Sequence, residues 1–282
     1  MHVCDELIKS NIRDLSEESI ALMLSLANVC AGGRYLLIDE TGLLVAAVLV
    51  RGTFGFCPWK LTLGASVFLL HENQEPYLDT LKFFPHLQQH FSSDPSETDL
   101  TSTGPTFHSM DFLAAFKPGS ITLTPPKKEG GPLYERKLRT YNREIQIHNI
   151  WNQGCFDGFL SVSSFDPQSF LPKVLNKIEL SGNIAVYSPF REPIVEVQNY
   201  FMTKTPSRPI LAPTVHEIRA PRWSTLKGRV RPDMTGRGGG GWIMSGIRVE
   251  ESEMDPLQEK AEKKRKVEEN GTEMEDVKMT DA

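Results

Sequence analysis

Apolar and polar positions alternate along the chain in blocks that predict strands and helices in turn. Short apolar runs typical of buried strands lie at 35–38, 66–70, 159–162 and 184–187. Apolar residues at helical spacing predict helices at 15–33, 43–50, about 75–84 and 171–180. Because a helix can carry the chain from the end of one parallel strand to the start of the next, this alternation indicates an α/β fold built on a parallel sheet.

The last part of the patterned region breaks this alternation. Residues 214–219 and 242–249 have the pattern of strands, but the segment between them has no helical spacing. Such strands are expected to pair antiparallel at one edge of the sheet. A plain dinucleotide-binding sheet stays parallel to its end, so the pattern predicts a methyltransferase-like Rossmann fold, a mostly parallel sheet with an antiparallel closing strand.

The first predicted helix has recognisable ends. Ser16 is suited to cap its start, Glu17 favours the positive end of the helix dipole, and Gly33 would stop it. We therefore predict a linker helix region at 1–33 and a Rossmann-like domain at 34–249.

An insertion at about 88–132 is rich in Ser, Thr, Pro and Gly, and we expect it to be mostly disordered. A helix is predicted after it from an apolar stripe at Tyr134, Leu138, Tyr141 and Ile145. The other faces of this helix carry four cations: Arg136, Lys137, Arg139 and Arg143. They form either a solvated face or part of a polyanion-binding surface, and the sequence leaves both possibilities open.

Composition narrows the class of protein. With 282 residues and 39% hydrophobic side chains the chain can bury a sizeable core, but its longest apolar run, at 43–50, is too short to cross a membrane. The four cysteines are far apart in sequence: Cys4, Cys30, Cys57 and Cys155. This spacing predicts reduced thiols inside a cell, without a disulfide framework or a zinc site.

Charge is distributed unevenly along the chain. The net charge is −5, yet residues 250–282 hold 12 acidic and 6 basic side chains, which leaves the remainder at about +1. This acidic tail has too few apolar residues to offset its chain entropy, and we expect it to be disordered. It contains a dense basic cluster at Lys263, Lys264, Arg265 and Lys266. The cluster predicts nuclear localisation, although a solvated charge run is the simpler interpretation.

The turn after the first strand is where a Rossmann-like fold binds its cofactor. Glycines there let the ligand approach the backbone, and a helix N-terminus faces its charged group. In this chain the turn has a single glycine: it consists of Asp39, Glu40, Thr41 and Gly42. The sequence therefore predicts the architecture of the site without the cofactor.

The strongest cationic signal lies between the two closing strands. Six cations are interleaved with one aromatic residue: Arg219, Arg222, Trp223, Lys227, Arg229, Arg231 and Arg237. Such a loop can neutralise phosphates while the aromatic ring stacks on a base, so we predict that it binds nucleic acid; the alternative is an ordinary basic surface. The glycine run at 238–241 lacks a following Lys-Ser or Lys-Thr and precedes a strand, which predicts a flexible turn before an edge strand and excludes a phosphate loop.

Five blocks of sequence carry a resemblance to a known family. They are RYLLIDETGLLVAAVLVRG, FLLHENQEPYLDTLKFF, FDGFLSVSSFDP, NIAVYSPFREPIVE and RPDMTGRGGGGWIMSGIRV. In this order they closely resemble the non-catalytic subunit of the eukaryotic tRNA (adenine-58-N1)-methyltransferase, from about residue 14 to residue 249 without the insertion.

This resemblance implies a chain that is not itself an enzyme and binds no cofactor. It implies a catalytic sister subunit that uses S-adenosylmethionine, a heterotetramer of the two subunits, and tRNA held partly by this chain. Where an adenine methyltransferase of this type would offer an acidic group, the chain has Ser161, Ser163 and Ser164, and Asp166 comes late. Glu72 stands where such enzymes contact the ribose. We interpret it as a relic or a local hydrogen-bonding group, the alternative being a surviving cofactor contact.

Two departures from the family pattern limit what the resemblance implies. The family's non-catalytic subunit has an additional N-terminal β-rich domain, so we expect a shortened version whose grip on tRNA is in doubt. The family also has His-Pro where this chain has Arg231 and Pro232. Two other classes stay open: an active Rossmann-fold methyltransferase, and a scaffold that binds protein without RNA contact.

Overall fold

The structure is a computed structural model that describes residues 15–30, 32–41, 66–73, 76, 106–117, 132–204, 208–220, 223–232 and 239–250. The helices predicted at 43–50 and 75–84 lie outside the described residues, apart from residue 76. The acidic tail lies outside them after residue 250, and so does its basic cluster.

The described elements follow the predicted order. The first are α1 (Glu17–Leu26), β1 (Arg34–Asp39), β2 (Ser66–His71), β3 (Thr106–Asp111) and α2 (Phe112–Phe116). They are followed by α3 (Pro132–Gln153), β4 (Phe156–Val162), α4 (Pro167–Leu175), β5 (Ile178–Ser188) and α5 (Arg191–Asn199), which continues into a π-helical turn at Tyr200–Lys204. The last are β6 (Ile210–Ala220), β7 (Trp223–Leu226), β8 (Arg229–Pro232) and β9 (Gly239–Arg248).

Seven of the described strands form one sheet in the order β3-β2-β1-β4-β5-β9-β6. The first five are parallel to one another, whereas β9 runs antiparallel between β5 and β6. The predicted mostly parallel sheet with antiparallel closing strands is therefore confirmed. The strands that follow β1 in the chain lie first on one side of it (β2 and β3) and then on the other (β4 and β5). The carboxyl ends of β1 and β4 therefore form the switch point of the sheet.

The structure differs from the predictions for the insertion and for the helix at 171–180. Within the insertion expected to be mostly disordered, residues 106–116 form β3 and α2, so that expectation is wrong for them; β3 pairs with β2 over all six of its residues. The helix predicted at 171–180 ends at Leu175, because the strand β5 begins at Ile178. Ile178 has helical spacing from Leu171 and Leu175 but is buried as a strand residue in the same core.

Helices cover the two faces of the sheet separately. On one face α1 packs with Ile20 and Met23 against strand residues such as Tyr187. Its predicted cap is confirmed, since the Ser16 hydroxyl accepts a hydrogen bond from the amide of Ser19. On the other face, α3, α4 and α5 bury a second apolar layer, which includes Trp151, Phe170, Leu171, Ile194 and Val197. None of the helices in the described part of the chain is long and apolar enough to cross a membrane.

Tyr35 fastens the segment after α1 to the sheet. A Cβ added at Gly33 would overlap its ring, and one added at Gly158 would lie only 3.2 Å from it. Its hydroxyl accepts a hydrogen bond from the amide of Cys30 at 2.7 Å. Burial is the main cause that raises the pKa of Tyr35 above its ordinary value.

The described residues of the glycine run, 239–241, are part of the sheet, so the flexible turn predicted for them is wrong. Gly239, Gly240 and Gly241 are the first residues of β9, which lies second from the edge. The Tyr187 hydroxyl donates to the Gly240 carbonyl at 2.8 Å, and a side chain at Gly241 would overlap the Tyr187 ring. These glycines therefore allow a buried tyrosine to cross β9, a constraint that the sequence pattern does not reveal.

Candidate nucleic-acid interface

The carboxyl edge of the sheet brings the predicted site residues together. β1, β4 and β5 end at this edge, and the antiparallel strand β9 begins there. β6 also ends there, since it is antiparallel to β9. In an open α/β sheet this edge is where ligands bind. The turn after β1 and the basic segment after β6 therefore lie on the same edge, at different strands.

The turn after β1 is closed by its own side chains. Asp39 and Thr41 are buried. The Asp39 carboxylate accepts hydrogen bonds from the Thr41 amide at 2.8 Å and from the Thr41 hydroxyl. An aspartate that bonds two residues ahead makes a tight Asx-type turn. Gly42, the fourth residue of the predicted turn, lies outside the described residues.

Glu40 joins this turn to the end of β4. Its carboxylate accepts hydrogen bonds from the Ser164 amide at 3.1 Å and from the Ser164 hydroxyl at 2.9 Å. Its own amide donates to the Val162 carbonyl at 3.1 Å. The chain thus bridges the switch point between β1 and β4 with a carboxylate, in the place where a cofactor would meet the sheet.

The other polar groups at the end of β4 also have structural partners. Ser161 and Ser163 are buried, and their hydroxyls lie 3.4 Å apart. Asp166 accepts a hydrogen bond from the Gln168 amide at 3.0 Å and so caps α4. Asp166, the first acid after this strand in the sequence, therefore stabilises a helix N-terminus.

The basic segment contains a β-hairpin that the sequence analysis did not predict. β7 and β8 pair antiparallel, with Trp223 opposite Pro232, Ser224 opposite Arg231, and Thr225 opposite Val230. Because directly opposed residues share a face and successive residues alternate, Arg231 shares one face with Ser224 and Arg229, whereas Trp223 and Val230 lie on the other. Arg229 and Arg231 therefore lie on the face opposite to Trp223, although cations and aromatic residue are interleaved in the sequence.

The described cations of this segment are exposed to solvent. Lys227, Arg229 and Arg231 are exposed, and none of the described acidic side chains lies within 4 Å of their charged groups. Arg219 differs, because it forms an ion pair with Glu217 on β6. Arg222 and Arg237 are predicted members of the site that lie outside the described residues.

The predicted cations of α3 also point into solvent. Arg136, Lys137, Arg139 and Arg143 are all exposed. Arg139 approaches Glu135 one helical turn away at 4.0 Å, and an exposed pair of this kind is worth little. The helix therefore presents a cationic face that is partly neutralised by its own acid.

His71 and Glu72 at the end of β2 are separated from His216, which lies on β6. Glu72 is exposed, and His71 bonds to the Asn73 carbonyl. Burial is the main cause that lowers the pKa of His71. His216 lies within 3.2 Å of the hydroxyls of Thr214 and Ser245. No group of three or more His, Cys, Asp or Glu in the described part of the chain is placed to hold a metal ion.

One feature of this edge escaped the sequence analysis. Phe190, between β5 and α5, is 67% exposed. The guanidinium of Arg191 lies over the ring of Trp242, 5.3 Å from its centroid. The signal in the sequence was an aromatic residue two positions after a strand end and directly before a cation, but only the pairing of Ser188 with Trp242 brings a second ring to this strand end.

A cavity of about 460 Å³ lies at the opposite edge of the sheet. The end of α4, the start of β5 and the end of β9 line it, including Leu175, Leu180 and Arg248. None of the predicted site residues lines it. It is therefore separate from the site described above.

Comparison with known proteins supports the resemblance. The Gcd10p family matches residues 3–117. Proteins named "tRNA (adenine(58)-N(1))-methyltransferase non-catalytic subunit TRM6" are similar over most of the chain. The one from Eremothecium gossypii is 32% identical over 83% of this chain and 50% of its own length. The one from Schizosaccharomyces pombe is 29% identical over 84% of this chain and 56% of its own. The chain thus spans about half the length of these curated relatives.

Solved structures support the fold. An S-adenosylmethionine-dependent O-methyltransferase from Thermotoga maritima has a TM-score of 0.54 at 13% identity, over 89% of this chain and 71% of its own. A precorrin-6y C5,15-methyltransferase from Geobacter metallireducens has a TM-score of 0.51 at 10% identity, over 85% and 93%. The predicted methyltransferase-like Rossmann fold is confirmed. The chain matches the Gcd10p family over residues 3–117 and is a relative of the non-catalytic subunits of tRNA (adenine(58)-N(1))-methyltransferase.

Proposed function

We propose that this chain is the non-catalytic, tRNA-binding subunit of a complex that methylates N1 of adenine 58 in tRNA. The names of its relatives support this function. The observation that carries it is the bridge from Glu40 to Ser164, which fills the switch point with the chain's own hydrogen bonds. A subunit of this kind contributes to the reaction through binding and assembly.

The proposal includes that this chain binds no cofactor and that its catalytic partner uses S-adenosylmethionine. A cofactor at the switch point would have to displace Ser164 from Glu40. The freed carboxylate would then repel the carboxylate of the cofactor's methionine part. The turn also lacks the successive glycines that allow close approach of a ligand. Calorimetric titration of the chain with S-adenosylmethionine tests this part, and measurable binding would favour the alternative of an active enzyme.

The basic hairpin supplies the contact to tRNA in this proposal. The target adenine must be exposed before its ring nitrogen reacts, at an unstacking cost of a few kcal/mol. Phosphate contacts far from the reacting atom can offset that cost, because binding energy gained at one site is available at another. Arg229 and Arg231 share one exposed face without a described carboxylate nearby, as phosphate binding requires.

The hairpin can be tested by the salt dependence of tRNA binding. We expect Arg229→Ala with Arg231→Ala to weaken binding and to lower the slope of log K against log salt by about 1.5, since each lost phosphate contact removes roughly 0.7–0.9. The matched control is Arg136→Ala with Arg139→Ala on α3. An effect confined to the control would assign the RNA to the helix, and unaltered binding in both would contradict RNA contact at either surface.

The proposal extends to assembly and localisation. The catalytic partner and this chain would form a heterotetramer, as the family resemblance implies. The cluster at 263–266 would direct the complex to the nucleus. Replacement of the four cluster cations by alanine, followed by imaging of a fluorescent fusion, tests the localisation.

A protein-binding scaffold is the second candidate function. The observation that favours it is the apolar face of the hairpin, where Trp223 is 58% and Val230 65% exposed. A protein partner would bury these side chains, whereas the cationic face would serve only solubility. Bulk tRNA separates the two candidates, because it competes with a ligand of the hairpin only if that ligand is nucleic acid.

A further inference from the structure

Phe190 is an exposed aromatic side chain on a rigid support. Its amide donates to the Ser188 hydroxyl at 3.2 Å, which fixes the turn at the end of β5. The helix that follows is anchored by Ile194 and Val197, both fully buried. The ring is nevertheless 67% exposed, so the packing of the fold does not account for it.

Arg191, the cation that follows Phe190 in the chain, lies over a second aromatic ring. Arg191 places its guanidinium over Trp242, 5.3 Å from the ring centroid. Trp242 is paired with Ser188 on one side and with Glu217 on the other. No described acidic side chain lies within 4 Å of the Arg191 guanidinium. Arg191 is thus held in place by a ring and keeps its charge available to a ligand.

This group lies on the same edge as the basic hairpin. β5, β9 and β6 are adjacent, and neighbouring strands lie about 5 Å apart. Ser188 at the end of β5 therefore lies about 10 Å from Glu217, its counterpart across β9. The end of β6 lies three residues further along, so the two strand ends are about 14 Å apart. One extended strand of RNA can reach both, since its phosphates follow one another at a few ångströms.

We propose that Phe190, Arg191 and Trp242 form a second RNA contact, the Phe190 platform, which binds one unpaired nucleotide of the tRNA. Phe190 stacks on the base, and Arg191 contacts the adjacent phosphate. An exposed ring beside an available cation is the combination by which proteins hold single-stranded nucleic acid without reading its sequence. This inference rests on the proposed function, because it assumes that tRNA meets the carboxyl edge.

The test measures binding of a fluorescent, unmodified tRNA transcript to the full chain over a series of salt concentrations. We expect Phe190→Ala to weaken binding about fivefold or more at every salt concentration without changing the salt slope, because stacking releases no counterions. Phe190→Tyr should restore the affinity, since tyrosine keeps the ring. Arg191→Ala should lower the slope by roughly one.

The control is Leu211→Ala, which removes a 55% exposed apolar side chain near the start of β6, at the end of the strand away from the carboxyl edge. It should bind like the original chain. If Phe190→Ala also binds like the original while Arg229→Ala with Arg231→Ala binds weakly, the platform is wrong and the proposed function stands. If Phe190→Ala weakens only co-elution with the catalytic subunit, the platform is a protein contact and the inference is overturned. Absence of tRNA binding by every form overturns both proposals.

Discussion

Two regions of the carboxyl edge differ in whether their charged side chains have hydrogen-bond partners within the chain. At the end of β1, Asp39 and Glu40 accept hydrogen bonds from Thr41 and Ser164 within the same chain. At the hairpin, Arg229 and Arg231 are exposed and have no described carboxylate within 4 Å. The first region satisfies its charges internally, and the second offers them to solvent or to a ligand.

In our proposal, this difference lets one edge of the sheet bind nucleic acid while the place of the cofactor is taken by the chain's own hydrogen bonds. A buried or half-buried carboxylate with hydrogen-bond donors is stabilised where it is, and a ligand would have to break those bonds. An exposed guanidinium gains by meeting a phosphate, because counterions are released. We therefore propose that the edge that holds cofactor and substrate in a methyltransferase serves in this chain as a surface for nucleic acid.

The largest expected loss of stability comes from a substitution in β9, compared with the same substitution at the tip of the hairpin. Gly240→Ala should lower the free energy of unfolding by about 3 kcal/mol, since the new Cβ would overlap the carbonyl oxygen of Ile218. Gly228→Ala at the tip should cost only about 1 kcal/mol, because its φ is +80° but no atom lies within 4 Å of the new Cβ. Urea unfolding of both variants measures the difference. Equal losses in the free energy of unfolding would mean that the backbone of β9 shifts to accommodate the new Cβ.

A smaller effect is expected at the turn. Ser164→Ala removes the hydroxyl that donates to Glu40 and should lower the free energy of unfolding by about 1 kcal/mol. The matched control is Ser224→Ala on the hairpin, an exposed serine that should change stability by less than about 0.5 kcal/mol. A turn variant as stable as the control would show that the bridge is dispensable, and the contrast between the two regions would weaken.

The smallest effect is a pH dependence away from both regions. Burial, followed by the charges of Arg143 and Arg34, lowers the pKa of His108 on β3. The unfolded chain therefore binds the proton more readily, and stability should fall as the pH is lowered from about 6.5 towards the folded pKa of His108. His108→Gln should reduce this slope in urea unfolding between pH 7 and 5. An unchanged slope would assign the pH dependence to other groups.

The sequence predicted the sheet well because buried strands leave a local signal. Residues 67–70 are apolar at every position, and the Ser16 cap can be predicted from neighbouring residues alone. β3 was missed because only Met110 of its six residues is buried, and an edge strand with polar positions resembles a loop. Ile178 was placed in a helix because its spacing fits one, although tertiary pairing with Phe156 makes it a strand residue.

The candidate site was predicted in composition but not in arrangement. The scarcity of glycine in the turn led us to predict that no cofactor binds, a prediction that stays open. The bond from Glu40 to Ser164 joins residues 124 positions apart and leaves no local pattern. The basic segment was recognised from its charges, whereas the division of the hairpin into two faces depends on its register. Gly240 and Gly241 suggested flexibility because Tyr187, the reason for them, lies on another strand.

The most direct test of the central claim is tRNA methylation by this chain alone and mixed with its catalytic sister subunit, with S-adenosylmethionine titrated into each. Our account predicts no cofactor binding and no methylation by the chain alone. It also predicts that activity appears, or rises strongly, on mixing. Cofactor binding or methylation by the isolated chain would contradict the account, because the bridge between Glu40 and Ser164 would then not close the site.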